Sequence, residues 1–242
     1  MTKFIWGPEE NLIVPLTKPA FLMNDDDSAR CQMHQVGIPE HSIIQWAKQF
    51  GDKNKRFIDC GAHMGTYSLL LADEFKAVEA FEAQRRTYFQ LCGNIFIFDK
   101  RNVTPYHAAV TDTEGSCDTV ELSIVSEDGG GSTILPTTPD QTVLATEYVE
   151  TFDIDNFEWN DVGLIKLDVE GNELAVLRGA QETIKNSKYP PIIFECNTQA
   201  WHTKHKAEIF NYLKSMGYRL GEIKPFNNMY FAQKDEDNSL SS

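Results

Sequence analysis

The sequence lacks any long apolar run. Its longest apolar clusters, such as Leu69 to Ala72, fall far short of the ~20 residues that a bilayer span needs. The start, MTKFIWGPEENLIVPL, shows no signal-peptide cleavage pattern. Paired cysteines are also missing. The five present, Cys31, Cys60, Cys92, Cys117 and Cys196, are odd in number and never spaced C-x-x-C. That argues against a disulfide scaffold or a zinc site and for a reduced, cytoplasmic protein with scattered thiols. Positive charge is scarce: 22 Lys and Arg face 36 Asp and Glu, a formal charge of −14, with no basic stripe. A general nucleic-acid binder needs such a stripe for phosphate contacts, and an anionic membrane surface would repel this chain. A small neutral substrate remains open. No N-P-P-Y-like amine-binding motif occurs either, and Asn197-Thr198 does not supply one.

What is present is ordinary for a globular enzyme: 41% hydrophobic and 24% charged residues over 242 positions, enough for a real core and typical of one α/β domain. Ile38-Pro39-Glu40 opens a helix through Phe50, with Ile43, Ile44, Ala47 and Phe50 on one stripe. From Arg56 strands and helices alternate. Phe57-Ile58-Asp59, Ala77 to Glu82, Asn102 to Val110, Val162 to Asp168 and Pro191 to Cys196 read as strands. Thr66 to Glu74, Gln84 to about Asn94, Leu174 to Ile184 and the stretch around Ile209 to Met216 read as helices. Pro105 inside its strand marks a sheet edge. Tyr218 to Ile223 and Met229 to Gln233 close the chain as two strands joined by a turn. Such alternation predicts right-handed crossovers and a mainly parallel sheet with helices on both faces and an antiparallel end. Between about 115 and 158 the rhythm breaks. Val120 to Val125 alternates as a strand, and Asp128-Gly129-Gly130-Gly131-Ser132 follows as a loop, so this region is expected to be a long insertion near the site.

Asp59-Cys60-Gly61-Ala62-His63-Met64-Gly65 falls where a strand ends and a helix begins. Gly61 permits a tight turn, and Gly65 permits close packing and ligand approach. The pattern is D-x-G-x-x-x-G, not the G-x-G-x-x-G that a dinucleotide's pyrophosphate needs at an open helix N-terminus. That disfavours a nicotinamide oxidoreductase. A leading acid suits a ligand carrying an ammonium group, which points to S-adenosylmethionine. Glu82 ends the next strand, 21 residues after Gly61, where an acid can accept both ribose hydroxyls. Glu79 has the opposite pleat phase and is expected to be structural. Asp168 ends a third buried strand, with Glu170, Asn172 and Glu173 crowding the next turn.

In order, FIDCGAHMGTYSLLLA, VEAFEAQ, GLIKLDVEGNELAVLRGA and IIFECN resemble the FkbM family of S-adenosylmethionine-dependent methyltransferases. The resemblance covers about Arg56 to Cys196. It implies an α/β, Rossmann-like class I methyltransferase fold with a mainly parallel seven-stranded sheet, an antiparallel closing strand and helices on both faces. It also implies methyl transfer to a hydroxyl oxygen of a sugar, glycan or small metabolite. Residues 51–234 would form the methyltransferase domain, 1–50 a segment and helix contributing to a lid, and 235–242 a disordered tail. Asp59, Gly61, His63 and Gly65 would belong to the cofactor loop, Glu82 to the ribose, Asp112 to the adenine amine and Asp168 to the cleft mouth. Ser132-Thr133 would close over the cofactor. His63 stands where such families usually carry Asn, and Ala83-Gln84 where they carry Pro-Asn.

A hydroxyl acceptor calls for a general base. Asp168, Glu195 and His202 are the candidates, Glu195 because it ends a buried strand beside Asp168. His34 is a weaker one, and His107 is expected to be structural. No resident metal is assigned, although Asp168, Glu195 and Asn197 are oxygen ligands at neighbouring strand ends, as a magnesium-assisted enzyme would use. Phe21, Trp201 and Phe226 could stack on a sugar face. A rival from another class is a non-catalytic interaction protein on the same fold.

Overall fold

The computed structural model describes residues 2–4, 21–24, 38, 40–112, 119–138, 141–196, 202–226 and 228–234. Two short strands, β1 (Thr2–Phe4) and β2 (Leu22–Asn24), pair antiparallel by themselves. Helix α1 (His41–Ala47) runs into a 3-10 turn at Lys48–Phe50. Then come β3 (Arg56–Cys60), α2 (Thr66–Leu71), β4 (Ala77–Glu82), α3 (Arg85–Ile97) and β5 (Val103–Val110). An antiparallel pair follows, β6 (Thr119–Ile124) and β7 (Ala145–Phe152). The chain finishes with β8 (Val162–Leu167), α4 (Glu173–Gly179), α5 (Gln181–Asn186), β9 (Ile192–Glu195), α6 (His202–Ser215), β10 (Tyr218–Glu222) and β11 (Met229–Lys234).

All but β1 and β2 form one sheet in the order β10-β11-β9-β8-β3-β4-β5-β7-β6. The six central strands from β9 to β7 are parallel, and β11, β10 and β6 each join antiparallel to a neighbour. The expected seven strands are the run from β10 to β5. The region read as a loop-like insertion adds two more, because both its segments carry the β-branched and aromatic residues that suit a pleated surface. Leu122, Ile124 and Val149 bury themselves there against Ala109. Strand β7 joins β5 only from Ala108 onward. The stretch holding Pro105 is thus paired on the β4 side alone, as a residue without an N–H requires.

Period-two alternation divides the apolar residues between two layers. Phe57, Val78, Leu164 and Ile193 pack under α1, α2 and α3 through Ile44, Leu71 and Leu91. Ile58, Phe81, Ile165 and Phe194 pack on the opposite side against Val176, Ile184, Ile209 and Leu213 of α4, α5 and α6. The helix expected to run through Ile184 is broken at Ala180 (φ −113°, ψ 11°), which leaves α4 and α5. Among the described residues no helix is long and apolar enough to cross a membrane. Residues 235–242, the expected tail, lie outside the described residues, as do His34, Asn197 and Trp201.

Candidate active site

Every central parallel strand points its carboxyl end to one edge of the sheet, where open α/β folds place ligands. A cavity of about 370 Å³ opens there. Its floor is the turn after β3. Gly61 has φ +77°, and a Cβ on it would sit 1.8 Å from the Asp168 carbonyl oxygen. Glycine is therefore required by both conformation and space. The Gly61 and Ala62 amides donate to the Phe81 carbonyl at 2.9 and 2.8 Å, stitching this turn to β4.

Glu82 lines the cavity and is 8% exposed. Its Oε2 accepts the His63 amide and its Oε1 the Gln84 amide, both at 2.9 Å. Burial pushes its carboxyl up, opposed by His63 and those amides. Glu79, three residues earlier, faces the other layer and receives Arg56 Nη1 at 2.6 Å and the Tyr106 hydroxyl at 3.0 Å. His63 lines the cavity, and its Nε2 meets the Asp128 carbonyl at 2.5 Å. That contact draws the glycine loop over the opening. Asp128, Gly129, Gly130, Ser132 and Ile134 form this side of the wall. Ser132 Oγ donates to Gln84 Oε1 at 2.8 Å, and the buried Thr133 donates through Oγ1 to the Glu170 carbonyl at 3.0 Å. Ala108, Ala109, Val110 and Leu122 make an apolar wall beside Asn172, whose Nδ2 donates to the Val110 carbonyl at 2.8 Å.

Asp168 lines the cavity half-buried. Its amide donates to the Cys60 carbonyl at 3.0 Å. Burial would raise its carboxyl, but Lys166, a hydrogen bond from Glu195 and the nearby His63 together hold it below the usual range. Glu195 stands at the end of β9 and accepts Asn228 Nδ2. Burial and the adjacent Asp168 push Glu195 well above an ordinary carboxylate. Glu170 Oε1 accepts the Gly131 amide at 2.8 Å, and burial together with Asp168 raises its carboxyl to about 7. Asp168, Glu170 and Glu195 have carboxyl oxygens within 4.8 Å of one another.

Two residues expected in the cofactor loop sit elsewhere. Asp59 is fully buried and does not line the cavity. Its side chain lies in the layer beneath α2, where Ser68 Oγ donates to Oδ2 at 2.5 Å and Lys166 approaches Oδ1 at 3.7 Å. Gly65, with φ +94°, packs against Leu91 of α3 and caps α2 rather than facing the cavity. Asp112 is exposed beyond β5 and is not brought to the cavity. His202 opens α6, and its side chain lies outside the described residues. Phe21 and Phe226 pack into apolar clusters. Nothing in the motif readings points to Lys166, Glu40 or Tyr67, which also line the cavity. A lysine inside the otherwise apolar VGLIKL strand is the one signal the sequence offers for them.

The Methyltransferase FkbM domain matches residues 59–220. This chain belongs to the FkbM methyltransferase family. Among solved structures the FkbM chain is similar to Methyltransferase FkbM from Methylobacillus flagellatus KT, at 18% identity and a TM-score of 0.54 over 75% of this chain and 44% of that one. It thus spans less than half the length of that protein. A SAM-dependent O-methyltransferase from Thermotoga maritima aligns at 15% identity and a TM-score of 0.52, over 85% of this chain and 69% of that one. A precorrin-6y C5,15-methyltransferase from Geobacter metallireducens GS-15 aligns at 13% identity and 0.50, over 83% and 91%. At these identities the likeness is one of fold, and it establishes the Rossmann-like methyltransferase architecture. No curated protein matches the chain.

Proposed function

We propose that this FkbM-family chain binds S-adenosylmethionine and transfers its methyl group to a hydroxyl oxygen of a sugar, glycan or small metabolite. The observation that carries this reading is Glu82. It is a buried carboxylate whose two oxygens are aimed by backbone amides at the rim of the cavity, the chemistry that a ribose diol takes. The remaining lining fits the same ligand. Gly61 and His63 give a close backbone floor, Ala108, Ala109, Leu122 and Ile134 an apolar wall for a flat base, and Glu40, Glu82, Asp168 and Glu170 a field favouring a cation.

The bound sulfonium supplies an activated methyl group. The protein then has to hold an acceptor oxygen in line at about 3–3.5 Å and take its proton, a contribution of about 10²–10⁴-fold. Asp168 and Glu195 are the proposed proton-handling pair, with His202 as a further candidate from the start of α6. Residues 51–234 serve as the methyltransferase domain. Residues 1–50, segment and helix together, are assigned a part in the lid, and Glu40, which lines the cavity and accepts the Tyr67 hydroxyl at 2.7 Å, supports that assignment. The described cysteines, Cys60, Cys92 and Cys196, are free thiols, which favours a reducing, cytoplasmic setting.

Titration calorimetry with S-adenosylmethionine and S-adenosylhomocysteine tests the reading, followed by a mass-shift screen of hydroxylated acceptors. Glu82→Ala should weaken both ligands about 10- to 100-fold, as loss of a charge-assisted hydrogen bond does. No heat with either ligand on the wild-type protein overturns the assignment.

A further inference from the structure

Strand β8 is buried along its whole length, and Lys166 within it is 4% exposed. A lysine there is costly unless it is paired and fully hydrogen-bonded. Register sets Lys166 directly beside Asp59 on the neighbouring strand. Its ammonium donates to the Gly61 carbonyl at 2.9 Å, reaches Asp168 Oδ2 at 3.2 Å and Asp59 Oδ1 at 3.7 Å, and lies 5.3 Å from the centre of the Tyr67 ring. Glu40, at the far side of Tyr67, adds a further negative charge. Asp168 in turn meets Glu195, and Glu170, His63, Glu40, Asp59 and Tyr67 are its other charged or titratable neighbours. Asp168, Glu170 and Glu195, with oxygens within 4.8 Å of one another, do not all ionise readily together. Lys166 touches only one of them.

We propose that Lys166 is the positioning residue of the Asp168–Glu195 pair: by gripping both the Gly61 carbonyl and Asp168, it makes Asp168 the anionic member and leaves a proton on Glu195. The inference rests on the methyl-transfer reading for its purpose, though not for its test. It assigns the direction of proton flow. As the acceptor oxygen bonds the methyl carbon and the carbon–sulfur bond breaks with its electron pair going to sulfur, the acceptor proton passes to Asp168. Lys166 also ties the floor of the cavity to the base, because one ammonium holds both.

The test is ¹³C NMR of the whole protein carrying carboxyl-labelled aspartate, with the Asp168 signal assigned by its loss in Asp168→Asn. Wild type should keep Asp168 ionised from pH 5 to 8. Lys166→Met should raise its titration midpoint by about one to three pH units, and Lys166→Arg should hold it low. A merely structural lysine would not move this signal. An unchanged midpoint in folded Lys166→Met overturns the proposal. If that variant does not fold, the melting temperatures of Glu195→Gln and Asp168→Asn at pH 7 decide the point. A neutral amide mimics a protonated Glu195, so Asp168→Asn should lose more. Equal losses or the reverse order overturn it. Calorimetry with S-adenosylhomocysteine on wild type judges the methyltransferase reading separately, since a protein that binds none can still show the Lys166 effect.

Discussion

Gly61→Ala tests the tightest feature of the site. The added Cβ would lie 1.8 Å from the Asp168 carbonyl oxygen and 2.8 Å from its carbonyl carbon. Both obstacles are backbone, and neither swings away. The Asp168 amide is tied to the Cys60 carbonyl at 3.0 Å, and Cys60 stands in register with Leu167 across the β3–β8 pair. Alanine must also hold φ near +77°, which costs about 1–2 kcal/mol. Overpacking against fixed backbone adds about 1–3 kcal/mol. Together these predict a loss of about 2–5 kcal/mol. At roughly 2–4 °C per kcal/mol for a chain of this size, the melting temperature should fall by about 4–20 °C. The same substitution at Gly221, where nothing lies within 4 Å of the new Cβ, should stay within about ±0.5 kcal/mol. Circular dichroism melts of the two variants beside wild type make the comparison. A Gly61→Ala protein that melts with Gly221→Ala would refute the argument that β8 closes directly onto this turn.

Two further outcomes follow from the loop and the rim acids. Gly129→Ala would place a Cβ 2.5 Å from Thr87 Oγ1 and 3.1 Å from His63 Cδ2 at φ +94°. It should lift the glycine loop and weaken S-adenosylhomocysteine binding several-fold, by about 1 kcal/mol, while costing less melting temperature than Gly61→Ala; unchanged affinity by calorimetry would contradict a covering role for that loop. For Glu170 the folded-state value, about 7, lies above the ordinary 4.5. The folded protein thus holds the extra proton, and this contribution to stability is full below 4.5 and lost as pH rises through about 7. Glu170→Gln keeps an acceptor for the Gly131 amide without the charge, so it should raise the melting temperature at pH 8 and leave it unchanged near pH 4; equal gains at both would show that the rim charge is not the cause.

Most of the sheet was legible because its signals are local. Ala77 to Glu82 is a strand with the boundaries the pattern predicts, and the spacing from Gly61 finds an acid that does reach the cavity. Pleat phase separates Glu82 from Glu79 correctly, since a period of two leaves only one of them on the cavity face. Asp112 shows where local signals stop. It follows a strand end as Asp168 does, yet it is exposed while Asn172 takes the neighbouring wall. Which residue after a strand turns inward depends on how the next element packs, and no spacing encodes that. The added strands β6 and β7 were half legible. The alternation at Val120 to Val125 was there to read, but pairing with β5 is a contact between distant segments.

Asp59 carries the more general point. A carboxylate at the head of a glycine turn invites a direct contact with a ligand ammonium, and the structure supplies an ammonium from within the chain. Lys166 reaches the Gly61 carbonyl and both flanking acids, so the charge on Asp59 is answered before any ligand arrives. Counting this cluster alone, Asp59 and Asp168 against one lysine leave a net charge of about −1 when both acids are ionised. Burial raises the Asp59 carboxyl, whereas Asp168, whose side chain is 31% exposed, is held low beside Lys166 and Glu195. The surplus negative charge therefore gathers on the acid that faces the cavity. On the proposed reading the leading aspartate acts on a ligand cation at one remove, by anchoring the lysine that lies beside Asp168.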